Sequence, residues 1–157
     1  RGSIALAPAG RTQHFHAMPK TIEEQLRAYF RDQRPPGVVS AYLFGSHAEN
    51  RAHRESDVDV GVLLDRELHP RREDRFRVRV RLGSELIHAV HRNEVDVVVL
   101  NDAPPLLGRR IVTEGRRIYS EDLELDLEFV RNVQIRAADL KPFLERMRSI
   151  KIETLRR

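Results

Sequence analysis

Short, β-branched apolar runs alternate with longer stretches of helical period along this chain. Val38-Val39-Ser40-Ala41-Tyr42-Leu43-Phe44 is nearly all apolar and follows the turn signal Pro35-Pro36-Gly37, which predicts a buried strand over 38–44. The same reasoning predicts strands over 57–64 and 95–100, with a short final strand over 116–120. Thr21-Ile22-Glu23-Glu24 matches a capping box and starts a helix over 21–32.

Residues 71–92 carry two competing periods. Phe76, Val78, Val80 and Leu82 alternate with Arg77, Arg79 and Arg81, as in a strand. Phe76, Val80, Gly83, Ile87 and Val90 instead form one helical stripe, and the length of the segment favours a long helix. Pro104-Pro105 opens the next helix and Gly115 ends it. Residues 121–155 read as mostly helix. Their apolar stripe starts with Leu125, Phe129, Val133 and Ile135–Arg136 and continues through Leu140, Phe143, Leu144 and Met147. Pro142 predicts a kink or break near Leu140. Three regions follow. Residues 1–18 form an aperiodic, flexible extension, 19–120 a mixed α+β domain, and 121–157 a C-terminal helical extension packed on that domain.

Composition narrows the function classes. The 157 residues suit one domain with a sizeable core. The chain has no cysteine, which excludes disulfides, thiolate nucleophiles and cysteine-ligated zinc. No apolar run approaches a membrane span, and the apolar stretch 4–9 is too short for a signal peptide, so the cytoplasm is the expected compartment. The net charge is +4. The arginines are spread along the chain, alternate with acids and lack aromatic neighbours, so direct nucleic-acid binding is not expected.

The chemistry concentrates in residues 43–60. Asp57 and Asp59 are two apart in a predicted strand, so both carboxylates face one way, roughly 7 Å apart. Two like charges at that spacing repel by about 2 kcal/mol at an effective dielectric near 20. A hard divalent cation such as Mg²⁺, held by one or two carboxylates plus phosphate oxygens, converts that cost into a binding site. A bare Asp-x-Asp is more often a solvated pair. Here, however, Gly45-Ser46 precedes it at the end of a predicted strand. Gly45 allows a sharp turn and close backbone approach, and Ser46 is placed to cap a short helix whose free amides favour phosphate.

Gly45-Ser46, a ten-residue gap and then Asp57-Val58-Asp59 resemble the signature of the polymerase-β-type nucleotidyltransferase superfamily, in its minimal nucleotidyltransferase (MNT) branch. The resemblance covers roughly residues 38–119. It implies a nucleotidyltransferase fold, a small mixed sheet flanked by helices. It also implies that the Gly45-Ser46 turn holds a triphosphate, that Asp57 and Asp59 bind Mg²⁺, and that Asp96 in Glu94-Val95-Asp96-Val97 is the third acid. The chain departs from many relatives by carrying His47 and Glu49 where they carry Arg. Arg51, His53 and Arg54 are the nearby basic residues.

From Ala103-Pro104-Pro105-Leu106 onward, through Gly115-Arg116-Arg117-Ile118-Tyr119 and Asp139-Leu140-Lys141-Pro142, the chain resembles the antitoxins of HEPN–MNT toxin–antitoxin pairs. That resemblance implies transfer of AMP from ATP to a tyrosine of a HEPN ribonuclease toxin, silencing it. Two other classes stay open. One is a nucleotidyltransferase acting on a small hydroxylated molecule such as an aminoglycoside, for which Glu49, Glu55 and Glu94 are the available acids. The other is a non-catalytic antitoxin that neutralises its partner by contact alone.

Overall fold

The computed structural model describes residues 20–49, 51 and 56–155, with side chains described as far as 149. The extension expected over 1–18 lies outside the described residues. Four strands, β1 (Val38–Phe44), β2 (Val58–Leu64), β3 (Val95–Val99) and β4 (Arg116–Ser120), form one sheet in the order β3-β2-β1-β4. β2 and β3 are parallel, and β1 is antiparallel to both β2 and β4. The helices are α1 (Ile22–Gln33), α2 (Arg72–Val90), α3 (Pro105–Glu114) and α4 (Leu123–Leu155). Single 3₁₀ turns follow β1 and β3, at Gly45–His47 and Leu100–Asp102. The chain thus adopts the mixed α+β fold expected of it, with a C-terminal helix against the sheet.

α1 and α2 cover one face of the sheet. Leu26 and Phe30 from α1, and Val78, Leu82, Leu86 and Val90 from α2, pack on Ala41, Leu43, Val58, Val60 and Val62. The capping box at Thr21 forms as expected: Glu24 N–H donates to Thr21 Oγ1 at 3.2 Å, and Thr21 N–H donates to Glu24 Oε2 at 2.8 Å. The long helix over 71–92 is present, but its core-facing stripe is not the one expected. Arg75, Val78, Leu82, Leu86 and Val90 are buried, whereas Phe76 and Val80 are 58% and 56% exposed. The two stripes differ by a rotation of the helix. Burying Val78, Leu82 and Leu86 places Arg75 inward too, where it bonds both oxygens of Asp102 (2.9 and 2.6 Å) and the carbonyls of His69 and Pro70. A buried guanidinium satisfied by four acceptors is tolerable in a way that an unpaired one is not.

α3 and α4 cover the other face. α3 sits directly on β2 because Gly61 has no side chain: a Cβ there would stand 2.8 Å from Ile111 Cγ2. α3 begins at Pro105, and the Gly115 N–H closes it on the Ile111 carbonyl at 2.9 Å. α4 buries Asp126, Val133 and Ala137, with Phe129, Leu140 and Leu144 half-buried beside them. Leu125, Ile135, Phe143 and Met147, assigned to the stripe by sequence, are largely exposed. The helix runs through Pro142 without the expected break. The carbonyl that Pro142 leaves without a donor, on Ala138, lies on an exposed stretch where water can serve it.

Asp126 ties α4 to the sheet. Its fully buried carboxylate accepts from Ser40 Oγ at 2.6 Å and from Tyr42 OH at 2.8 Å, and Arg117 Nε stands 3.2 Å away. Burial and that carboxylate push the Tyr42 phenol well above its ordinary pKa, so it stays a donor.

Candidate functional site

β1 ends at Phe44, and the chain turns sharply at Gly45, whose φ is +70°. L side chains rarely adopt this backbone, and there is no room for one: a Cβ at residue 45 would lie 2.2 Å from Asp59 Oδ2. The turn therefore lies directly against Asp59. Sheet register explains the approach, because Phe44 is paired with Asp59 across the antiparallel β1–β2 ladder.

The register on the other side of β2 brings in the third acid. Asp59 is paired with Asp96 across the parallel β2–β3 ladder, so both side chains emerge on the same face. Asp57 precedes β2 rather than opening it, and is exposed. The expectation that both carboxylates belong to one strand thus holds for Asp59 alone. The three acids still form one electrostatic unit. The Asp59 pKa is raised first by burial, then by the charge of Asp96, then by that of Asp57, with His47 opposing.

Ser46 does not cap a helix. It is the middle residue of the Gly45–His47 turn, whose cap position is Phe44 and has no side-chain cap bond. In a single 3₁₀ turn the chain has already curled at Gly45, one residue before the expected cap. The amides of Ala48 and Glu49 fold back onto the Gly45 carbonyl at 3.1 and 3.2 Å.

The basic neighbours sort themselves by position. His47 Nε2 donates to the Ser56 carbonyl at 3.1 Å, joining the turn to the residue before Asp57. Arg51 pairs with Glu49, and Arg110 from α3 lies 3.8 Å from the same carboxylate. His53, Arg54 and Glu55 lie outside the described residues. A cation that sequence reading passed over, Arg79, reaches from α2 around the β3 edge to within 3.5 Å of Asp96 Oδ1. Its signal was the Arg77-x-Arg79-x-Arg81 run, which read as surface charge.

The donors suit a hard cation: three oxygen acids around one sheet end, with Asp59 under like-charge pressure. Among the described residues no group of three or more acids or histidines is placed to hold a metal ion by itself. Mg²⁺ does not require one, since substrate phosphates typically complete its coordination.

The family Polymerase beta, Nucleotidyltransferase matches residues 24–124. The chain belongs to that family. Protein adenylyltransferase MntA of Shewanella oneidensis strain MR-1 is 29% identical over 118 residues, 75% of this chain and 79% of the relative. Among solved structures, a chain in the crystal structure of a toxin–antitoxin with AMP-PNP is 25% identical. It aligns over 86% of this chain and 98% of its own length, with a TM-score of 0.58. The MNT antitoxin fold also appears at 23% identity and TM-score 0.54, over 87% of this chain and 97% of that one, in a complex with tri-AMPylated Shewanella oneidensis HEPN toxin. No helix among the described residues of this nucleotidyltransferase is long and apolar enough to cross a membrane.

Proposed function

We propose that this chain is an MNT-type antitoxin that transfers AMP from ATP to a tyrosine of a cognate HEPN toxin. The observation that carries the reading is the close fit of Gly45 against Asp59, with Asp59 in register with Asp96. A nucleotide-holding turn and paired acids meet there at one sheet end. The MntA relative acts as a protein adenylyltransferase, and the structural neighbour holding AMP-PNP is a toxin–antitoxin.

Each residue has a role in this reading. The backbone at Gly45 and Ser46 receives the triphosphate, because glycine leaves the amides open to it. Asp57 and Asp59 hold Mg²⁺, with Asp96 as the third acid. When bound, the cation supplies charge that stabilises the attacking and leaving oxygens of an in-line displacement. The tyrosine oxygen bonds to the α-phosphorus, the bond from that phosphorus to the bridging oxygen breaks, and pyrophosphate leaves with the electron pair. Asp96, which is exposed at the sheet end, accepts the tyrosine proton. His47 stands beside Asp59, at a position where many relatives use Arg.

The small-molecule alternative needs free acids for a cationic acceptor. Glu49 is already matched by Arg51 and Arg110, which weighs against it. The test is to incubate the purified chain, ATP labelled at the α-phosphate, Mg²⁺ and the cognate toxin. AMP linked to a toxin tyrosine is the expected product. Label on an aminoglycoside-like alcohol and none on the toxin would overturn the reading.

A further inference from the structure

Among the described residues β3 is an edge strand, paired with β2 on one side only. Along its open side runs a groove of about 250 Å³, lined by Arg72, Phe76 and Arg79 of α2, Val97 to Val99 of β3, and Pro104 and Leu107 at the start of α3. Helical packing has turned Phe76 and Val80 outward, and each is more than half exposed. Two large apolar groups in the outward face of an arginine-rich helix, beside an uncovered strand edge, make the groove a candidate docking surface.

Arg79 joins the groove to the site: it lines the groove and reaches Asp96, which precedes the groove-lining Val97 on β3. An extended segment rises about 3.3 Å per residue, so about five residues alongside Val95–Val99 span the strand and end at Asp96. A protein seated here delivers a side chain to the acids without crossing α3 or α4. Charge also favours one kind of partner. The groove's one carboxylate, Asp102, is held by two nitrogens of Arg75, and Arg79 is turned toward Asp96, so Arg72 is the exposed cation the groove presents to an incoming segment.

Resting on the function proposed above, we infer that this α2–β3 groove is where the acceptor protein docks. It presents an acidic segment with apolar groups that cover Phe76 and Val80, adjacent to the tyrosine it offers. Main-chain pairing to the β3 edge supplies affinity, and Arg72 with Phe76 supplies selectivity. The rival surface is the exposed apolar side of α4, including Phe143 and Met147.

The test uses the full chain, the cognate toxin, Mg²⁺ and labelled ATP. Phe76→Glu, the milder Phe76→Ala, and Arg72→Glu alter exposed side chains, so all three should fold. Each is expected to bind a non-hydrolysable ATP analogue as the parent does, by calorimetry. The KM for toxin should rise at least tenfold for Phe76→Glu and Arg72→Glu, and less for Phe76→Ala, with kcat little changed. Met147→Glu should leave that KM unchanged. Parent-like KM in Phe76→Glu and Arg72→Glu, or a rise confined to Met147→Glu, overturns the docking proposal while leaving the transfer reaction intact. If the parent itself leaves the toxin unlabelled, the proposed function fails and the docking proposal fails with it.

Discussion

Two carboxylates lie on the α3/α4 side of the same sheet in opposite circumstances, one on α4 and one on β2. Asp126 reaches Tyr42, which is paired with Gly61; Asp59 lies under the turn after Phe44, its own partner. Asp126 is fully buried yet surrounded by hydroxyl donors and a guanidinium. Asp59 is less buried, but its strongest charged neighbours are two more acids. A carboxylate with all its partners present is architecture. One held against like charges stores an interaction that something outside the chain must complete.

The largest difference should appear in catalysis. The double variant Asp57→Asn with Asp59→Asn is expected to lose transfer by at least ~10³-fold, about 4 kcal/mol of barrier, with its melting temperature maintained or raised. Single-turnover labelling and a thermal scan check both halves. Asp126→Ala should do the reverse. Stability should fall by about 2–4 kcal/mol in urea, because Ser40, Tyr42 and Arg117 lose their common acceptor, while the folded fraction still binds ATP. A cost below about 0.5 kcal/mol would erase the contrast.

Next in size is the turn itself. Gly45→Val sets a branched side chain at positive φ against Asp59 and should weaken Mg-ATP binding at least tenfold, about 1.4 kcal/mol. Ser46→Ala keeps the amides and should change affinity far less. Equal affinities for the two variants by calorimetry would remove Gly45 from the nucleotide site.

The smallest effect is the sharpest in sign. The Asp59 pKa is raised in the folded, metal-free protein above its ordinary 3.8. The folded state therefore binds the proton more tightly than the unfolded chain, and stability falls as pH rises from 3.8 through the folded value. Asp59→Asn should accordingly stabilise the metal-free protein at pH 7, by no more than about 1 kcal/mol given solvent screening. The gain should vanish below the unfolded pKa. Adding Mg²⁺ and ATP should reverse the order, making the parent the more stable.

The same contrast explains what sequence could and could not reveal. The strands were legible because β-branched runs between turn residues have few alternative readings; Asp96 was reached only through the family resemblance, and its pairing with Asp59 follows from sheet register that no local pattern shows. The partners of Asp126 lie on β1 and β4, more than eighty residues from Asp126 in the case of Ser40 and Tyr42, and no local pattern links them. Arg79 was missed for a related reason: its proximity to Asp96 depends on which face of α2 packs inward. Where every second residue from 75 to 81 is Arg, both stripes satisfied the period; packing of Val78, Leu82 and Leu86 on the sheet decided between them, with Arg75 carried inward and matched by Asp102. The cap lies at Phe44, two residues before the expected Ser46, because the single 3₁₀ turn already begins at Gly45.

The most direct test of the central claim is transfer of label from α-labelled ATP to the cognate HEPN toxin by the parent and by the Asp57→Asn, Asp59→Asn double variant, followed by mapping of the modified residue. The account predicts AMP on a toxin tyrosine with the parent and Mg²⁺, and none above background with the double variant although it remains folded. Equal labelling by both proteins, or an unlabelled toxin that the parent nonetheless neutralises by binding alone, would contradict it.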